Sequence, residues 1–124
     1  MSNKIKNNAI KEVSQEIDYN GKKYKIVFNL NVMQAIQDKF GSLDKWGKLT
    51  DTKGKEINIE ALLFGFKEML NEGIDIDNEK NGTDIPLLTQ KQVGRILTEI
   101  GLNEALTKVN GVVVDSSKSD EKNA

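Results

Sequence analysis

A chain of 124 residues with a formal net charge of -1 is sized for one domain and carries no overall field favouring nucleic acid or an anionic membrane. It contains neither Cys nor His, which excludes disulfides, thiolate chemistry and the commonest general base and metal ligand. Apolar residues at 37% and charged residues at 30% exclude full disorder, and Arg95, the single arginine, argues further against a reader of base edges.

Met1 to Ile10 is polar, lacks the apolar stretch of a signal peptide and is expected to be loose. Lys11 to Tyr19 then alternates, with Val13, Ile17 and Tyr19 of one parity. Asn20-Gly21 follows, a dipeptide that tolerates positive φ at both centres of a type I′ turn. Lys22 to Leu30 alternates again, with Tyr24, Ile26, Phe28 and Leu30 on one face. A two-residue loop pairs Tyr19 with Lys22, Ile17 with Tyr24 and Val13 with Phe28, so both strands turn their large apolar side chains the same way.

Asn31 with Gln34 reads as a cap for a helix whose stripe is Val32, Met33, Ile36 and Phe40, stopped by Gly41. Ser42 caps a short helix carrying Leu43 and Trp46, and Thr50 to Glu56 reads as a loop. Asn58 caps the main helix, expected from Ile59 to about Asn71 with Gly73 as its stop. Its apolar face is Ile59, Leu62, Leu63, Phe66, Met69 and Leu70. Ile74 to Leu88 reads as an acidic loop containing Gly and Pro. Thr89 and Gln92 form a capping box for a helix with Val93, Ile96, Leu97 and Ile100 inside, ended by Gly101. A last helix is expected from about Asn103 to Val109, with Gly111 ending it.

The fold class is therefore α+β, an N-terminal β-hairpin packed on a small body of four to five short helices. The expected organisation is a loose segment 1–10, one domain over 11–111 and a polar, disordered tail over 112–124. The longest apolar cluster, Ala61 to Phe66, is too short to span a bilayer, which makes the cytoplasm the expected compartment.

Asp77, Glu79, Asn81 and Gly82 match the opening positions of a calcium loop, but its closing position holds Leu88 instead of a bidentate Glu. A solvated loop is the favoured reading, and no metal or cofactor is expected. No carboxylate pair sits in an apolar setting that would tune it for acid–base work, and no phosphate-binding glycine motif occurs. Trp46 and Tyr24 fall at stripe positions, so they read as core aromatics before base-stacking platforms. A catalytic residue is not expected.

Phe64 is the exception to the pattern. It lies far around the main helix from the apolar stripe, among Glu60, Lys67 and Glu68. Either it makes a second contact within the domain, with the last helices, or it anchors a partner helix or a second copy of the chain. Phe64, Glu60, Lys67 and Glu68 are the candidate partner-binding residues.

The order of these elements resembles a known family. The run from Ile17 through Asn20-Gly21 to Asn31 feeds a helix ending Lys39-Phe40-Gly41-Ser42-Leu43. Then come Ala61-Leu62-Leu63-Phe64-Gly65, the acidic segment and Ile96-Leu97-Thr98-Glu99-Ile100-Gly101-Leu102. Over about residues 11 to 110 this resembles the tail assembly chaperones of long-tailed phages with non-contractile tails. The resemblance implies a non-enzymatic role in the host cytoplasm. Such a protein binds the long helical tape-measure protein and keeps it soluble while tail-tube subunits assemble around it, often in a short and a longer, frameshifted form. The alternative is a structural morphogenesis subunit, a tail-completion or head–tail connector protein that stays in the particle.

Overall fold

The computed structural model describes residues 13–51 and 56–122. The N-terminal segment expected to be loose, 1–10, lies outside the described residues, as does most of the loop between Thr50 and Glu56. The architecture is α+β, an antiparallel hairpin, β1 (Val13–Tyr19) and β2 (Lys22–Phe28), followed by five helices. These are α1 (Leu30–Phe40), α2 (Leu43–Leu49), α3 (Ile59–Asn81), α4 (Gln90–Ile100) and α5 (Leu102–Lys122).

The hairpin has the register its turn dictates: Tyr19 opposite Lys22, Ile17 opposite Tyr24, Val13 opposite Phe28. Asn20 (φ 52°) and Gly21 (φ 76°) both take the positive φ that a two-residue turn of this hand requires. Ile17, Ile26 and Phe28 are buried against the helices, as the alternation predicts. Val27, of the opposite parity, is buried as well, because α3 crosses β2 at Gly73.

Gly73 corrects the expected stop of the main helix. A Cβ there would sit 3.0 Å from the Lys25 carbonyl oxygen and 3.2 Å from Lys25 Cβ, so glycine is present to let the helix lie on the strand. The cost of glycine inside a helix is offset by this packing. The helix continues to Asn81 and ends at Gly82, whose φ of 66° is left-handed and whose N–H donates to the Asn78 carbonyl. Asp77, near that end, is unfavourably placed against the helix dipole, and Lys25 Nζ offsets it at 3.0 Å. The segment expected to be an acidic loop is thus two more turns of helix followed by an extended stretch, and the calcium-loop positions lie mainly on the helix.

Two other boundaries differ from expectation. Asn29, not Asn31, caps α1, its Oδ1 accepting from Val32 N at 3.2 Å. Asn31 instead donates to Glu72 Oε2 at 3.0 Å, beside Asn29 at 2.7 Å, which ties α1 to α3, and Leu30 is exposed. At the other end, α5 does not stop at Gly111 but runs to Lys122, where a disordered tail was expected. Gly111 lies over the Gln15 side chain of β1, and Val112 just beyond is fully buried.

The remaining caps are as read. Ser42 and Asn58 accept from the third residue beyond, and Thr89 and Gln92 form the full capping box. One core joins all layers, with Ile36, Phe66, Met69, Val93 and Val109 at its centre. Trp46 of α2 is buried in it. Its Nε1–H donates to the Ala61 carbonyl at 2.8 Å, a reach made possible because Gly65, one turn on, presents no Cβ to the indole.

Candidate partner-binding surface

The four candidate residues fall on one side of α3. Phe64 is half-buried, and its ring meets Phe40 of α1 edge-to-face, with centroids 5.6 Å apart at 75°. Its aromatic contact comes from α1, where the last helices were the expected source. Two cations flank the ring, Lys39 Nζ at 5.4 Å and Lys67 Nζ at 5.5 Å from the centroid. Glu60 meets Lys39 at 3.4 Å, a solvent-exposed pair that adds little stability but fixes the charge pattern around the ring. Phe64 is thus an aromatic held in place, with only part of its surface offered outward.

Lys67 and Glu68 lead from Phe64 into a groove of ≈ 540 Å³ between the start of α1, the middle of α3 and Leu87–Gln90. Its walls are polar, with Asn71, Glu72 and Asp75 on the α3 side. Among the described residues no cluster of His, Cys, Asp or Glu is placed to hold a metal ion.

The far edge of this groove is built by a device that sequence reasoning missed. After Gly82 the chain turns back along α3 in an extended strap, Thr83 to Thr89. Asn78 grips it at Ile85: the side-chain Oδ1 accepts from Ile85 N and Nδ2 donates to Ile85 O, both at 3.0 Å. Asn71, two turns earlier, grips Leu88 the same way, accepting from N at 2.7 Å and donating to O at 3.0 Å. Each amide side chain thus does for the strap what a neighbouring strand would do. Between and beside the clamps, Ile85 and Leu87 stand half in solvent, at 50% and 49% exposure. The only signal in the sequence is the spacing of Asn71 and Asn78, which places both on one face of a helix whose length was not legible.

A fixed backbone that displays apolar side chains beside a charged groove and a half-covered aromatic is suited to docking another protein, since little conformational entropy remains to be lost there. No helix among the described residues is long and apolar enough to cross a membrane. Comparison of the chain with protein-family models, with curated proteins and with solved structures finds no match.

Proposed function

We propose that this chain is a non-enzymatic, protein-binding chaperone of phage tail morphogenesis, which shields apolar helices of the tape-measure protein in the host cytoplasm and aids tail-tube assembly. The observation that supports binding is the clamped strap, which keeps Ile85 and Leu87 exposed beside the Phe64 face. The assignment to tail assembly rests on the resemblance over about residues 11 to 110. A long helix with an apolar stripe aggregates when that stripe meets water, and a surface that covers it removes the driving force.

Tagged chain co-expressed with the tape-measure protein of the same genome tests the reading. Co-purification of the two, with the chain absent from finished virions, is expected. Failure to co-purify, with the chain present in mature particles, would replace it by the structural-subunit reading.

A further inference from the structure

Glycines lie inside four of the helices, and most have an internal reason to be there. A Cβ at Gly65 would strike the Trp46 indole, one at Gly73 would crowd Lys25, and one at Gly111 would displace the end of the Gln15 side chain. Gly47 belongs to the last turn of a seven-residue helix, where it costs little. Gly94 has no such reason. It sits in the interior of the eleven-residue α4, where glycine weakens a helix relative to alanine, and a Cβ there would meet nothing within 4 Å.

The space above Gly94 is a groove of ≈ 720 Å³. Leu63 of α3 and Tyr19 of β1, both half-buried, form its apolar sides. Thr98 also lines it, with its hydroxyl donated to the Gly94 carbonyl at 2.8 Å. The rim carries Lys91 and Arg95 towards the start of α4 and Glu99 towards its end. None of these three has an ion-pair partner among the described residues. Gln90 lines both this groove and the one beside the strap, so the two are neighbours.

We infer that the groove over Gly94 receives a helix of the protein partner, seated with its apolar stripe on Leu63 and Tyr19 and an acidic side chain against Arg95. Absence of a Cβ at Gly94 lets two helix axes approach closely. Lys91 and Arg95 favour an acidic side chain at the start of α4, where arginine offers the forked geometry that a carboxylate matches, whereas Glu99 disfavours one at the other end. The inference rests on the protein-binding reading and adds to it the position and chemistry of the occupant.

The test uses the full-length, isotope-labelled chain and a synthetic amphipathic helix of about 20 residues, with leucines at helical spacing and glutamates at one end. Amide shifts centred on Leu63, Gly94 and Arg95 are expected. Gly94→Leu should weaken binding about tenfold or more without loss of fold, since the added side chain enters open space. Arg95→Glu should weaken it too, and a peptide with lysines in place of the glutamates should restore it. Shifts confined to Ile85 and Leu87 would overturn the groove while leaving the protein-binding reading intact. No shifts, or binding indifferent to Gly94→Leu, would also overturn it, and tape-measure co-purification then judges the wider reading separately. Self-association of the free chain that Gly94→Leu disperses would assign the groove to a second copy and overturn the inference in that way.

Discussion

A methyl group added at Gly65 would lie within the Trp46 indole, which has no room to retreat because its N–H is held by the Ala61 carbonyl. Gly65→Ala is therefore expected to destabilise the fold by about 1–3 kcal/mol in urea denaturation, despite alanine being the better helix former. An unchanged or raised midpoint would show that the indole is loosely held. Phe64→Ala removes a half-buried ring with one aromatic neighbour, so a loss of about 1–2 kcal/mol is expected. A loss of about 3 kcal/mol or more would place Phe64 with the fully buried core and leave nothing for a partner. Periodicity alone identified Phe64 as the residue that did not fit its helix. It did not reveal Phe40 as its neighbour, because that contact joins two helices whose packing is not encoded in either one.

Elements set by local signals are legible in the sequence, and those set by tertiary contacts are not. The hairpin depends on alternation and an Asn-Gly turn, and the caps of α2, α3 and α4 depend on residues three apart, so all were legible. Gly73 and Gly111 carry the same local signature as a helix stop, yet each marks a close approach to the hairpin. The difference lies in the tertiary partner, which a single window of sequence does not contain. The consequence for α5 is testable: deletion of residues 112–124 removes the buried Val112 side chain and should lower stability by about 2 kcal/mol, where a disordered tail would cost nothing. The strap gives a sharper signature. The Ile85 and Leu88 amides, outside any helix or strand, should be protected from hydrogen exchange by Asn78 and Asn71. Asn71→Ala should release Leu88 and cost about 1–2 kcal/mol, and Asn78→Ala should release Ile85 at smaller cost because its bonds are exposed. Rapid exchange at both amides in the parent chain would contradict the clamp.

For the molecule as a whole, a two-stranded hairpin is marginal alone, and here it is covered by the long helices α3 and α5. That arrangement gives the strap and the Phe64 face a rigid support, which a docking surface needs if binding is not to be spent on ordering the binder. The α+β class followed from the sequence, as did the placement of Glu60, Phe64, Lys67 and Glu68 on one side of the main helix. The strap and the groove over Gly94 did not, since both are made by chain segments that meet only after α3 reaches its full length. The soluble fraction of the tape-measure protein, co-expressed with this chain, decides whether the chain acts as a chaperone. The parent chain is expected to bring most of it into solution, and a variant with Ile85→Ser and Leu87→Ser is expected to lose that effect while remaining folded. A tape-measure protein equally insoluble with and without the chain would rule out that role.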